Sequence, residues 1–399
     1  MRCNAPKNAR LPGSRSRAHS KTPPLNIRTE LASGGQNRLV KRSPTVINRM
    51  NQTKLAASAL LAFCVACFEK LGLGAEDARL VADNLIFANL RGVDSHGVIR
   101  MKIYADRLRA GGFKSNARPQ IVAEQQSSAL IDGQHGMGQV AAMAAMKLAI
   151  DKAEASGLAI VGVKNSNHFG ASAYYAIRAI EHGMIGLAAT NAGPSMAPTG
   201  GREGRLGNNA MAVAVPGGKY PPVVLDMATG AVAWGKIFLA QQEKRKIPET
   251  WALDKNGVPT DDPNAAAHQG LIQPFGGYKG YGLSLLIDII TGVLSGGGFS
   301  KGIQGLYTNI ENPAQVAQTC GALRIDAFMP VAEFSQRMEQ MVDMMHSCPK
   351  APGVERIFVP GEIEHQVEQK RRAEGIPIND ELHKELVTLG SELGVKSLL

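Results

Sequence analysis

The sequence predicts a mixed α/β (α+β) fold, and three observations lead there. Short apolar or alternating runs at Ser128 to Asp132, Leu158 to Val163, Ile185 to Thr190, Met211 to Val215 and Val223 to Asp226 read as strands. Segments with a helical apolar period lie around them, among them a long alanine-rich stretch ending near Gly157. Strands and helices alternate along the chain instead of collecting in separate blocks, which makes the class α/β or α+β.

Taken in order, residues 1–50 come first and carry the charge anomaly. The chain has 399 residues and a formal net charge of +10. Residues 1–50 hold eleven Lys or Arg and one acid, Glu30, so residues 51–399 are neutral overall. No basic stripe with interleaved aromatics remains for nucleic acid. The segment is rich in Arg, Ser, Pro and Asn and lacks hydrophobic periodicity. A transit peptide, a disordered basic arm and upstream sequence before a start at Met50 are all open readings.

Residues 51–125 read as helical. The apolar stretch Leu55 to Phe68 is too short to span a bilayer and continues into a second amphipathic run, Glu76 to Leu90, so two helices of a folded domain are expected and no membrane segment. Cys64 and Cys67 form a Cys-x-x-Cys pair, but Cys3, Cys320 and Cys348 have no matching spacing. Buried free thiols on a helix are therefore expected rather than a zinc site or a disulfide framework.

The strand Ser128 to Asp132 leads through a glycine-rich turn into the alanine-rich helix. Gly136-Met137-Gly138-Gln139-Val140-Ala141 there matches G-x-G-x-x-A in the strand-to-helix setting of a dinucleotide fingerprint. The next strand ends in Lys164-Asn165-Ser166-Asn167, with no acid for a ribose hydroxyl, so glycines serving a tight turn are an equal reading. Residues 234–262 read as polar and loop-like, a helix follows the glycines at 276–282, and a strand is expected at Ala322 to Phe328, followed by two charged amphipathic helices.

Candidate chemistry begins at Asp94-Ser95-His96-Gly97, a hydroxyl beside an imidazole in a glycine-flanked turn. Arg100 and Tyr104 follow His96 at i+4 and i+8, on one face if the segment is a single helix. An imidazole for proton exchange and a guanidinium for a carboxylate are the two groups that hydride transfer at a 2-oxo acid requires. Ser95 or Asp94 acting as a helix cap is the alternative. Asn165 to Gly170 carries His168 in a loop after an apolar strand, where binding groups collect. Asp226 closes another strand and either orients an imidazole or caps the next helix. Phe275 to Gly282, with Lys279, suits close backbone approach and phosphate charge but is not a P-loop, and Thr199-Gly200-Gly201-Arg202 offers another anion contact. His135 and His268 lack partners at meaningful spacing.

Together and in this order, Arg91 to Gly97, Asn165 to Gly170, Asp226-Met227-Ala228-Thr229, Ile247-Pro248, Asp254 to Pro259 and Phe275 to Gly282 resemble the malate/L-lactate dehydrogenase family. That family includes ureidoglycolate and sulfolactate dehydrogenases and cyclic imino-acid reductases. The resemblance covers nearly all of 51–399 and implies a non-Rossmann NAD(P)-binding fold, which sets aside the fingerprint at Gly136. It implies interwoven domains: 51–125 with about 310–399 for substrate and dimerisation, and 126–309 for NAD or NADP. It also implies a cytoplasmic homodimer acting on a small carboxylate.

By motif matching, Ser95, His96 and Asp226 resemble a charge-relay set with His96 as proton donor, and His168 matches a proton acceptor. Arg100, with Tyr104 beside it, matches a substrate carboxylate contact. Ala192, Asp226, Met227, Ala228, Lys279, Gly361 and Glu362 match cofactor contacts. Gly207-Asn208-Asn209-Ala210 departs from the family's Gly-Thr-Asn-Pro, and Ala192 replaces a serine found in some members. Three rival readings accompany this one: reduction of a cyclic imino acid, a metal-dependent hydrolase using His96, His168 and Asp226, and a nucleotide-binding protein without turnover.

Overall fold

A computed structural model describes residues 52–396. The basic extension expected at 1–50, and the start at Met50, lie outside the described residues. In chain order the elements are β1 (Gln52–Leu55), α1 (Ala57–Lys70), α2 (Ala75–Leu90), α3 (Met101–Ala110), β2 (Gln120–Glu124), β3 (Ser128–Asp132) and α4 (Gly138–Ser156). Next come β4 (Leu158–Ser166), α5 (Ala173–Ala176), β5 (Met184–Thr190), β6 (Ala210–Val215), β7 (Val223–Ala228), α6 (Trp234–Gln242), β8 (Ala252–Leu253) and β9 (Pro259–Thr260). The chain continues through α7 (Pro263–Ala267), β10 (Leu271–Ile272), α8 (Tyr278–Asp288), β11 (Val316–Arg324), α9 (Val331–Ser347), α10 (Glu362–Glu374), β12 (Ile376–Asn379) and α11 (Asp380–Glu392).

The main sheet has seven strands in the order β2-β3-β4-β11-β5-β6-β7. Only β3 and β4 run parallel, joined by the crossover helix α4, and every other pair is antiparallel. Helix α4 follows from its alanine, methionine and leucine content and stops at Gly157, whose φ of 81° supplies the left-handed residue a helix C-terminus favours. Its Ala142, Met146, Ala149 and Ala153 pack on Val161, Val163, Met184 and Cys320 of the sheet. A second core joins α1, α2 and α3 through Leu60, Phe63, Phe68, Leu85, Met101 and Tyr104, and closes on Ile376 and Leu386. A third, smaller core surrounds the three-stranded sheet β10-β8-β9, with Met196, Ile237 and Ile272.

Several boundaries differ from the sequence reading. Trp234–Gln242 is helical, not loop, because Ile237 and Ala240 reach the third core while the polar residues face out. The strand expected at 322–328 lies earlier, at β11, where Gln318 and Thr319 are buried with hydrogen-bond partners, so polarity disguised it. Three helices, not two, follow it, and β1 and β2 interrupt the region expected to be helical. Cys64 and Cys67 are free and buried on α1, as expected, and burial raises both thiols, Cys67 to about 12. No described helix is long and apolar enough to cross a membrane.

The strand registers gather one end of the main sheet. Asp132 faces Lys164, Ser166 faces Val316, Gln318 faces Thr190, Thr190 faces Ala210, and Ala210 faces Ala228. The connections that leave or enter at this end therefore bring the His135 turn, the His168 loop, Ala192, Asn209 and Thr229 to one side of the molecule.

Candidate active site

The Asp94–His96 segment is one turn of 3₁₀ helix, and a second turn, Val98–Arg100, leads into α3. Gly97 lies between them with extended backbone, so His96, Arg100 and Tyr104 do not share one continuous helix as their spacing suggested. Gly97 is there for space: a Cβ on it would lie 2.1 Å from Oδ1 of buried Asn89. Asn89 fixes the turn at both ends, donating to Asp94 at 2.7 Å and accepting from the Val98 N–H at 2.8 Å. Arg371 of α10 grips Asp94 through two hydrogen bonds of 2.6 and 3.0 Å. Neither Ser95 nor Asp94 caps a helix with its side chain. Ser95 Oγ instead lies 2.9 Å from Nδ1 of His96, and Arg100 Nε donates to the Ser95 carbonyl at 2.7 Å.

His168 arrives from the other side of the site, on the loop after β4. Its ring stacks on His96 with centroids 5.6 Å apart and planes 20° from parallel. The loop is held by buried Asn167, which donates to the carbonyls of His135 and Gly136 and accepts from the Ala314 N–H. Gly138 opens α4 directly beneath it, and a Cβ there would meet the carbonyl oxygens of Asn167 and His168 at 2.2 and 2.5 Å. The fingerprint glycine at 138 is thus explained by close packing of helix against loop.

Tyr104 is fully buried and sets the orientation of His168. Its hydroxyl lies 2.6 Å from His168 Nδ1 and accepts from Gln139 at 3.1 Å. The Gly170 N–H also points at Nδ1, at 3.3 Å. A backbone N–H only donates, so Nδ1 is the acceptor and the neutral ring carries its proton on Nε2. Tyr104 therefore supports a histidine at the site, instead of lining it as a substrate contact.

Both imidazoles are pushed towards the neutral form. Desolvation and then Arg100 lower His96 to about 4, and His168 falls well below 6.5 through desolvation, Arg100 and His96. Solvent reaches Asp226, yet the protein crowding its carboxylate raises it to about 6 through desolvation, against the lowering effects of the Ala173 N–H and Arg91. Asp226 accepts from that N–H at 2.9 Å, at the start of α5, five residues after His168. It makes no hydrogen bond to either histidine, so Ser95 and His96 are brought together without the third member of the expected relay. Among the described residues no three His, Cys, Asp or Glu form a group able to hold a metal ion, which leaves the hydrolase reading without a ligand set.

Hydrogen bonds tie together three of the segments expected to touch a cofactor, those around Ala192, Ala228 and Lys279. Asn209 accepts from the Ala192 N–H at 2.9 Å and donates to the Ser284 carbonyl of α8, and so ties the ends of β5 and β6 to α8. Phe275 N–H donates to the Thr229 carbonyl, bringing the glycine-rich turn against the end of β7. Gly276 and Gly277 have φ of 57° and 64°, and nothing lies within 4 Å of the position a Cβ would take on either. Lys279 follows, exposed, in the first turn of α8. The buried hydroxyls of Ser195 and Thr229 have no hydrogen-bond partner. Open backbone at a helix N-terminus, a cation and unpartnered hydroxyls fit a phosphate- and hydroxyl-rich cofactor. Gly361 packs on Val224 beside β7, while Glu362 is committed to His346 at 3.0 Å and to the Val359 N–H.

A cavity of about 590 Å³ lies away from the histidine pair, among Phe87, Arg91, Tyr174, Val224 and His365. The stacked imidazoles and Arg100, not this cavity, define the candidate site. Sequence reading passed over the roles of Gln139 and Asn167, although both lie inside the runs at 136–141 and 165–170, and missed Asn89 and Arg371, which stand outside any motif; Gln139, Asn167 and Arg371 act on partners distant in the chain.

A sequence model described as malate/L-lactate dehydrogenase matches residues 55–387. The malate dehydrogenase of Pyrococcus abyssi is 42% identical over 355 residues, covering 87% of this chain and 97% of that protein. The L-sulfolactate dehydrogenase of Methanocaldococcus jannaschii is 40% identical over 333 residues, covering 82% and 93%. A solved structure of sulfolactate dehydrogenase from that organism superposes with a TM-score of 0.82 at 38% identity, covering 86% of this chain and 98% of the other.

Proposed function

Because the chain belongs to the malate/L-lactate dehydrogenase family, we propose that it transfers a hydride between NAD or NADP and C2 of a small 2-hydroxy or 2-oxo carboxylate. The observation that carries this reading is the stacked pair His96 and His168 with Arg100 beside it, a proton-exchange group and a carboxylate anchor in one place. Ala192, Met227, Ala228 and Lys279 would hold the nicotinamide cofactor, whose chemistry there would be to give or take the hydride.

The protein's part is orientation and proton movement. Arg100 fixes the carboxylate, and the neutral His96, hydrogen-bonded to Ser95, takes the proton of the C2 hydroxyl during oxidation and returns it during reduction. His168, with Nδ1 filled by Tyr104 and Gly170, offers Nε2–H to the C2 oxygen as a hydrogen-bond donor, and in that tautomer it has no free nitrogen to take the proton itself, which leaves the transfer to His96. Asp226 supports the His168 side through Ala173. Cofactor consumption with a panel of 2-oxo acids and cyclic imino acids, run side by side with NADH and NADPH, tests the reading. Turnover of the imines alone replaces the substrate class, and a His96→Ala enzyme retaining near wild-type turnover overturns the assignment of His96.

We further propose the interwoven division of 51–125 with about 310–399 against 126–309, with β11 returning to the main sheet. A cytoplasmic location and a homodimer are part of the same proposal; the exposed apolar Leu286, Ile289, Val293 and Leu294, on α8 and the π-helical turn after it, accord with the dimer. Size measurement in solution checks the dimer.

A further inference from the structure

The loop 305–312 lies over the substrate side of the site and is held by an unusual device. Arg107 of α3 is fully buried and spends its guanidinium on carbonyls of this one loop: Leu306 and Gly305 at 2.7 Å, Asn312 at 2.9 Å and Thr308 at 3.1 Å. Gly112 lets the loop come close, since a Cβ there would lie 2.0 Å from the Ile310 carbonyl oxygen. On the cofactor side, Gly193 approaches Gly305, whose Cα lies 3.4 Å from the position of an added Cβ. The loop thus bridges Arg100's surroundings and the neighbourhood of Ala192, and four hydrogen bonds from a buried cation make its course definite.

Tyr307 is the residue this loop presents. It is 64% exposed, its hydroxyl accepts a hydrogen bond from Arg100 Nη1, and the Arg100 guanidinium lies 5.6 Å from its ring centroid. A phenol that accepts from a guanidinium keeps its own O–H to donate. A carboxylate seated on Arg100 meets that O–H beside the guanidinium donors, and the ring closes the apolar side.

We propose that Tyr307 is a substrate-recognition residue, donating its hydroxyl proton in a hydrogen bond to the carboxylate held by Arg100, and that Arg107 is the positioning residue that keeps it there. The proposal rests on the carboxylate reading of Arg100 given above.

Calorimetric titration of the wild type and of Tyr307→Phe with malate and with oxalate tests it, alongside steady-state kinetics. Tyr307→Phe is expected to weaken both anions about tenfold and to raise KM similarly with kcat within about threefold, the loss of one charge-assisted hydrogen bond at an exposed site. Arg107→Lys is expected to weaken malate as well, and Tyr307→Phe to add nothing further in that background. Thermal unfolding first confirms that each variant is folded. Unchanged malate and oxalate affinity in Tyr307→Phe overturns the proposal, as does a wild type that binds neither anion. A wild type that binds both but transfers no hydride, with Tyr307→Phe still weakened, overturns the hydride reading and supports the role of Tyr307.

Discussion

Tyr104 sets its hydroxyl 2.6 Å from Nδ1 of His168, sixty-four positions further along the chain, and by filling that nitrogen it decides which face of the imidazole is chemically available. The contact joins α3 to the loop after β4, so the helix bearing Arg100 at its start also orients the second histidine.

Tyr104→Phe is accordingly expected to lower kcat by about tenfold to a hundredfold, while KM stays within about twofold, because the lost hydrogen bond orients a reacting group and does not hold the substrate. Steady-state kinetics on the best substrate of the acid panel checks this. A rise in KM alone would return Tyr104 to a substrate-contact role.

The lowered His96 has a consequence for pH. With its pKa at about 4, the imidazole is already neutral and ready to accept a proton throughout the range above that. In oxidation of a 2-hydroxy acid, the acid limb of kcat/KM due to His96 is expected near pH 4 instead of near 6.5. Arg100 contributes to the lowering, so a charge-removing Arg100→Gln enzyme, with residual kcat/KM followed at substrate well below KM, is expected to show the limb moved upwards. A limb that stays in place contradicts the electrostatic coupling.

Asp226 titrates in the opposite sense. Its folded carboxyl, raised to about 6 from 3.8, takes up a proton more readily than in the unfolded chain. The resulting contribution to stability is full below about pH 3.8 and is lost as pH rises through 6. Asp226→Asn removes the penalty, so its Tm relative to wild type is expected to become more favourable between pH 4 and 7. A difference in Tm that does not vary with pH would show that the carboxyl is unshifted.

Gly138 separates two explanations of the G-x-G-x-x-A run. Gly138→Ala is expected to destabilise the fold by about 1–3 kcal/mol through overpacking and to lower kcat by moving His168. Cofactor Kd should stay within about twofold. A selective loss of cofactor affinity would restore the nucleotide reading of this turn.

Local signals made much of this legible in the sequence. Alternation placed β4 to β7 within a few residues, and alanine content with Gly157 placed α4. The turn at Ser95 and His96 stood out because hydroxyl, imidazole and glycine adjoin. Three things escaped because their causes are distant or polar. The buried Gln318 and Thr319 hid the start of β11, since their hydrogen-bond partners are Ser166, Asn167 and Ile290. Gly97 breaks the helical face assumed from the i+4 and i+8 spacing, for reasons that lie in Asn89. Asp226 reads as a relay carboxylate, but its hydrogen bond goes to a backbone amide.

The position of β11 between β4 and β5 bears on how the molecule is made. The two strands that flank the centre of the sheet are synthesised long before the strand that separates them, and the facing edges of β4 and β5, which pair with β11 and not with each other, have no native partner until β11 arrives. The last segment of Asn167's hydrogen-bond knot, at Ala314 and Gln318, comes with it. Assembly of the catalytic end is therefore a late, high-contact-order event in biogenesis. A ribosome-bound chain that has not yet released Val316 holds an open, edge-exposed sheet, and that is the species most exposed to aggregation and most in need of a chaperone.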